Sequence, residues 1–424
     1  MATSSKFADP TQFENNEITI DGQDVRGLFY SLSIYEDIYR PAVTGNIVIV
    51  DTDGAGFIEE FGIEFIEPIK FSFKNALGET LEYEGVLNGL RNEVIQGSKK
   101  FYTIDFTSKT VRENEKTFVV NSYKETNPEE IVREMIDRIN GTLNTSARGK
   151  QMNYLGSRRR PIDVIKYVLT HALTQETEAT LKEDSKEEEA KGATGFLCWE
   201  TLDEYKFESI ADVTSGKTGQ EHTDFKTTLA NRSLSIEEAM KCIVDVEFKQ
   251  IGDHQTKLRS GAFGSMNISF DMDTGLYKEY TFYNERNMTQ KQKDAFPKGC
   301  ISRYFNRVND NQRFDNTCTK AQPLTGDQSR AYLNQNAGRQ NTFSDQTGQF
   351  TLYPHFEFTA GDVLDVEIAK VKDEKSEGGF DQKHSGKYVM QAVAHHFFSD
   401  GRAYTKVKTI RSTTQQDQDS SAKS

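Results

Sequence analysis

The sequence is short of the residues that small stapled domains depend on, with 4 cysteines, 8 prolines and 1 tryptophan among 424 residues. Cys198, Cys242, Cys300 and Cys318 form no C-x-x-C pair, so no zinc or redox motif is written into their spacing. They read as reduced, partly buried thiols. A chain of this length forms two to four domains and buries enough apolar surface to fold without disulfides or metals. No stretch approaches the ~18 apolar residues of a membrane-spanning helix, and the opening residues 1–10 lack the apolar centre of a signal peptide. The expectation is a chain with no membrane insertion, made and folded in a reducing cytoplasm, where the acceptor pattern Asn144-Thr145-Ser146 carries no meaning for glycosylation. Basic blocks are also missing. Lys and Arg number 52 against 65 Asp and Glu, a net charge of −13, and the longest basic run is Arg158-Arg159-Arg160. Gripping a polyanion needs clustered cations that release its counterions, which argues against nucleic-acid recognition. The arginine run reads as a solvated or interface patch.

Patterns that carry chemistry are equally sparse. Ala211, Gly216, Lys217 and Thr218 satisfy the loose spacing of a phosphate-binding loop. That loop needs a buried parallel strand before it and a helix N-terminus after it, and residues 219–224 have no helical apolar face. Asp51-Thr52-Asp53-Gly54-Ala55-Gly56 invites a calcium reading, but the fifth and twelfth positions of an EF-hand loop would be Ala55 and Gly62. His395-His396 is the one histidine pair, and neighbours on a strand point to opposite faces. One of them is expected to pack inward. No G-x-S-x-G occurs, and the acids are too abundant to single out a glycosidase pair. Trp199 reads as a core anchor. No catalytic, cofactor-binding or metal-binding residue is assigned, and no cofactor is expected.

What is present is β-structure. Residues 28–35, 44–50, 69–73, 79–88 and 101–106 are rich in aromatic and β-branched types or alternate with the period of a half-buried strand, with Gln96-Gly97 as a turn. Asn127-Pro128-Glu129-Glu130 marks a helix start, with Thr126 or Asn127 available to cap it. Ile131, Met135, Ile136 and Ile139 share one face, and Gly141 is expected to close the helix. A second helix begins at Pro161. Residues 176–191 hold seven acids and three lysines and read as a flexible, dispensable insertion. Residues 196–202 and 205–210 suggest a hairpin, 211–228 a polar loop, and 235–246 a short helix running into a strand. Residues 265–270 and 277–283 read as strands, and a helix is expected over 329–336. Residues 349–353, 363–368, 388–394 and 404–409 close the chain as a meander whose core includes Val363, Val366, Tyr388 and Val393. The expected organisation is a first β-domain over 1–112, a helical and mixed domain over 113–229, a second β-domain from 230–285 plus 343–412, a polar mixed insertion over 286–342, and a disordered tail over 413–424.

Three stretches, taken in order, resemble a known family. They are Leu32-Ser33-Ile34-Tyr35-Glu36-Asp37-Ile38-Tyr39-Arg40-Pro41 with Thr44-Gly45-Asn46-Ile47-Val48-Ile49-Val50-Asp51, then Phe65-Ile66-Glu67-Pro68-Ile69-Lys70-Phe71-Ser72-Phe73, then Ala360-Gly361-Asp362-Val363 with Ser385-Gly386-Lys387-Tyr388-Val389-Met390 and Val393-Ala394-His395-His396-Phe397. The chain resembles the baseplate (tail) hub protein of contractile-tailed bacteriophages over most of residues 17–412. Residues 176–191 and 286–340 match no pattern. The resemblance implies a β-rich α+β fold with two similar small β-barrel tube-type domains and helical or mixed insertions. It implies a structural, non-enzymatic role in the tail baseplate of a virion: a homotrimeric, pseudo-sixfold ring between tail tube and central spike. The implied partners are the spike protein, the tube or tube-initiator protein and the baseplate wedge proteins, with DNA passing through the bore without specific binding. Two rival classes are a tail-associated cell-wall hydrolase, which needs a positioned carboxylate pair in a cleft, and a host-surface binding module, which needs exposed aromatic loops.

Overall fold

The computed structural model describes residues 7, 9–52, 56–175, 195–227, 234–250, 254–270, 277–283, 290–296, 300–308, 346–370, 379–381 and 383–411. The first part contains β1 (Phe13–Ile20), β2 (Gln23–Asp24), β3 (Phe29–Asp37), β4 (Thr44–Asp51), α1 (Phe57–Phe61), β5 (Pro68–Asn75), β6 (Thr80–Gln96) and β7 (Lys99–Ser108). A mixed middle part follows with α2 (Lys109–Lys116), β8 (Ser122–Thr126), α3 (Pro128–Arg138), β9 (Leu143–Asn144), β10 (Met152–Leu155), α4 (Pro161–His171), β11 (Phe196–Glu200), β12 (Tyr205–Ser209) and α5 (Ile210–Thr214). The rest comprises β13 (Glu221–Lys226), α6 (Ile236–Met240), β14 (Ile243–Gln250), α7 (His254–Ser260), β15 (Gly264–Phe270), β16 (Tyr277–Tyr283), α8 (Gln290–Ala295), β17 (Arg303–Val308), β18 (Gln346–Leu352), β19 (Val363–Glu367), β20 (Gly386–Phe398) and β21 (Ala403–Arg411). The fold is β-rich α+β, as expected.

Alternation builds the strands. In β3, Leu32, Ile34 and Glu36 are buried while the residues between them are half-exposed; in β4, Gly45, Ile47, Ile49 and Asp51 are buried in the same way. Gly45 is where the two strands and β7 close up, because a Cβ there would collide with the Phe106 ring and the Ser33 carbonyl. The helices follow their sequence signals. Both α3 and α4 open on proline, and α3 buries Ile131, Val132, Met135 and Ile136 against a core shared with Ile162, Val164, Ile165 and Val168 of α4. The left-handed residue that ends α3 is Asn140 (φ 59°), not Gly141, whose N–H donates to the Ile136 carbonyl. Asn127 occupies the cap position without a capping side-chain bond. Ser235 and Glu238 cap α6 reciprocally, ahead of β14.

The two β-halves are copies in topology. In the first, the successive strands β1, β3, β4, β5, β6 and β7 lie side by side in the order first, fourth, fifth, sixth, third, second. In the second, β13, β14, β18, β19, β20 and β21 take the same order. One outer pair differs: β1 runs antiparallel to β5, whereas β13 runs parallel to β19. The halves are not separate sheets. β20 pairs antiparallel with β3, and both halves join into one 13-stranded sheet. Each half has its own core, around Phe71, Phe73 and Phe106 in the first and Phe350, Val366 and Tyr388 in the second.

Three expectations shift. Residues 211–228, expected as loop within a domain ending at 229, include α5 and β13, and β13 joins the second half. Phe225 is the one apolar residue of β13, so pairing with β19 rather than composition makes it a strand. β15 and β16, inside the 230–285 span assigned to the second β-domain, pair with β17 in a separate three-stranded sheet. In chain order that sheet falls between the second and third strands of the second half, where the first half has only the turn from Asp37 to Thr44, and its ladders run through β15. β6 continues past the expected end at 88 to Gln96, carried by its ladder with β7. The expected flexible insertion at 176–191, the helix at 329–336, the tail at 413–424, Cys318 and most of 286–342 lie outside the described residues.

Val366 is fully buried in the second core, beside Phe350, Leu364 and Tyr388. Val366→Asp places an uncompensated charge there, and we expect a loss of about 3 kcal/mol or more of unfolding free energy by denaturant titration. Wild-type stability in that variant would show the register of β19 to be wrong.

Candidate functional site

The chain's distinctive geometry is the joint where the halves meet and the middle part locks onto them. The β3–β20 ladder runs from Asp37 opposite Ala392 to Ser31 opposite Phe398. Phe397 is buried there, its ring stacked on Phe73 at 4.0 Å and meeting Phe13 at 5.2 Å. The histidine pair is part of this joint. His395 points inward, 3.1 Å from the Thr405 hydroxyl, while His396 Nδ1 lies 2.8 Å from Ser33 Oγ across the ladder. Burial pushes their pKa values down, to about 3 for His395 and about 4 for His396, so both are neutral near pH 7. They face opposite sides of the strand and serve as packed joint residues.

Buried acids tie the middle part to both halves. Glu36 of β3 accepts the Leu202 N–H on one carboxylate oxygen and the Ala360 N–H on the other, each at 2.8 Å. One side chain thus holds the β11–β12 turn and the loop before β19. Trp199 stands beside it, fully buried, with its indole N–H donating to the Ala360 carbonyl at 2.9 Å. The next residue, Gly361, has φ 99° and would drive a Cβ to 2.7 Å from the indole ring, so only glycine fits this approach. Glu200 accepts the Val43 N–H and the Thr110 hydroxyl, each at 2.9 Å, and the Tyr205 hydroxyl donates to the Pro41 carbonyl at 3.1 Å. Asp362 accepts the Gln220 N–H at 2.9 Å and lies 3.1 Å from His222 Nε2. Burial pushes Glu36 up to about 8, against the lowering effect of its two amide partners, and burial also raises Glu200.

These acids are spent on backbone donors that no ladder reaches, and they are enclosed rather than presented to a substrate. Among the described residues no group of three or more His, Cys, Asp or Glu side chains is placed to hold a metal ion. The phosphate-loop spacing falls on α5 and a turn at Gly216, followed by strand β13 instead of a helix, so no row of helix-start amides converges there. Lys217 is exposed, 4.0 Å from Asp212. Of the calcium-like stretch, Asp51 is buried and accepts the Gly56 N–H at 3.1 Å, while residues 53–55 lie outside the described residues. In the arginine run, Arg158 and Arg160 sit 5.5 and 6.0 Å from the Phe118 ring centre, and Arg160 also pairs with Glu115. Cys198 and Cys242 are buried free thiols, and burial pushes Cys198 up to about 12. Sequence reasoning missed Glu36. Its signal was an acid in phase with Leu32 and Ile34 on the inward face of β3.

By sequence, the chain matches no protein-family model and no curated protein. By structure it is similar to the 43 kDa tail protein of prophage MuSo2 from Shewanella oneidensis, at 8% identity and TM-score 0.54, over 94% of this chain and 98% of that one. It is also similar to the tail protein from Neisseria meningitidis MC58, at 11% identity and TM-score 0.51, over 94% of this chain and 97% of that one. The similarity in fold to these two tail proteins runs along nearly the whole length of each chain.

Glu36 gives a pH signature. Its folded pKa of about 8 lies above the ordinary 4.5. Its contribution to stability is therefore complete below about pH 4.5 and is lost as pH rises through about 8. The buried histidines act with the opposite sign below pH 6.5, so the Glu36 effect stands clear between pH 6.5 and 8. Unfolding free energy in that window should fall with rising pH in the wild type and fall less in Glu36→Gln. Parallel curves for the two proteins would contradict the assignment.

Proposed function

We propose that this chain is a structural subunit of a phage-type tail baseplate hub, a homotrimer whose six β-halves form a ring between the tail tube and the central spike. The observation that carries this reading is the duplication: two halves of one chain share one strand order and are joined edge to edge in a single sheet. Three such chains present six quasi-equivalent β-units on one side of a threefold assembly, which reconciles a sixfold tube with a threefold spike. A head-to-tail contact that closes by rotation gives a ring and not a filament. The fold similarity to two tail proteins and the family resemblance in the sequence support the same reading.

Tube or tube-initiator protein, spike protein and baseplate wedge proteins are the partners this role calls for, and the tail baseplate of a virion is the place. DNA would pass through the bore without specific binding, helped by a chain with a net charge of −13. The role needs no catalysis. A wall-cutting hydrolase would need a carboxylate pair open to a polymer, whereas Glu36 and Glu200 are enclosed on backbone amides. Electron microscopy of assembled tail particles should find three copies of this chain around the axis. A different copy number would overturn the proposal.

A further inference from the structure

The duplication that supports the ring also identifies which edges would close it. The two halves align strand by strand through their ladders. Val86 faces the first residue of β5 as Val389 faces the first residue of β19. Val86 then faces Thr107 as Val389 faces Ile410, and Thr107 faces Thr44 as Ile410 faces Thr347. Two irregularities coincide as well, while β6 carries one more, a skip at Arg91, that β20 lacks. β6 skips Asn88 in its ladder with β7, and β20 skips Gln391 in its ladder with β21. β3 skips Tyr30 against β4, and β14 skips Val244 against β18. By these ladders β6 is the counterpart of β20, and β14 is the counterpart of β3.

The counterparts differ in what covers them. One edge of β20 is shared, its first part paired with β19 and residues 392–398 paired with β3. The corresponding edge of β6 pairs with β5 only as far as Val86, and residues 89–96 have no strand on that side among the described residues. The free side of β14 likewise has no strand among the described residues, because β14 ends the sheet. Exposure marks the difference. Ile95 faces Lys100 as Phe397 faces Ala403, yet Phe397 is 0% exposed under β3 while Ile95 is 66% exposed and Val94 is 53% exposed. On the other strand, Leu32 is fully buried, whereas its counterpart Val246 is only partly buried.

We propose that the outer end of β6 in one copy pairs antiparallel with the free side of β14 in the next copy, reproducing between chains the β20–β3 joint within the chain. Carrying over the register places Asn92 opposite Lys249, Val94 opposite Glu247, Ile95 opposite Val246 and Gln96 opposite Asp245. No like charges oppose one another, and Ile95 gains an apolar partner where it now meets solvent. Exposed edges with apolar side chains call for such a cover. The occupant is a second copy of this chain, and the proposal rests on the ring reading above.

The test uses assembled particles carrying Val94→Cys with Glu247→Cys, the positions that correspond to His396 and Ser33, with Cys300 and Cys318 replaced by serine. Oxidation should give a covalently closed trimer on a non-reducing denaturing gel. Val94→Cys with Val244→Cys, three residues out of register, should not cross-link. Threefold particles without the first cross-link would overturn the edge pairing and leave the ring reading standing. Cross-linking in the shifted pair would overturn the register, and particles without three copies would overturn the ring itself. Independently, Ile95→Lys alters an exposed side chain. It should melt like the wild type and enter particles at least tenfold less often, and wild-type incorporation would contradict the edge pairing.

Discussion

The structure depends on one constraint, that the backbone of β20 be paired along its whole length. β20 outruns β19, and the remainder of that edge must find another partner or face solvent. β3 supplies it, and two β-halves become one sheet. A backbone hydrogen bond is worth only about 1 kcal/mol net, while leaving a buried one unmade costs about 1–3 kcal/mol. The ladder therefore specifies the joint more than it stabilises it. Stabilisation comes from what the ladder brings inside: Leu32, Ile34 and Phe397, each worth about 1.5–3 kcal/mol when buried.

A continuous sheet still leaves donors unmet where strands stop and loops begin. Leu202, Ala360 and Val43 are such donors, and each is met by a buried carboxylate, from Glu36 or Glu200. Removing an acid from water is expensive, and the donors at each oxygen offset part of that cost. The acids are thus positional devices. Glu36 reaches both the middle part and the second half from a strand of the first, and Trp199 fills the space beside it. Together these contacts fix three portions of the chain in one arrangement.

The duplication also explains where the two halves diverge. Their shared strand order is kept in the centre of each half, where every strand has two neighbours. Divergence is confined to margins and connections: the parallel pairing of β13, the small sheet between β14 and β18, and the different covering of β6 and β20. A central strand cannot change direction or register without breaking two ladders at once, whereas an outer strand or a connection breaks one or none.

The sequence by itself determined the elements whose burial pattern is local. Alternation in β3, β4 and β5, the prolines opening α3 and α4, the short helix α6 running into β14 and the closing meander were legible, as were the buried roles of Trp199, Val363, Val366, Tyr388 and Val393. So was the inward turn of one histidine of the pair. Tertiary structure alone decided what depends on distant partners. β13 is a strand because β19 lies beside it, and the far end of β6 because β7 does; neither carries an apolar alternation of its own. The departure of β15 and β16 into a separate sheet, the fusion of the two halves through β20 and β3, and the meeting of Glu36 with Leu202 and Ala360 have the same origin. Side-chain period is a property of neighbouring residues, so it can be read along the chain. Edge pairing and buried acids are satisfied by groups far along the chain, and only the folded chain brings them within hydrogen-bond reach.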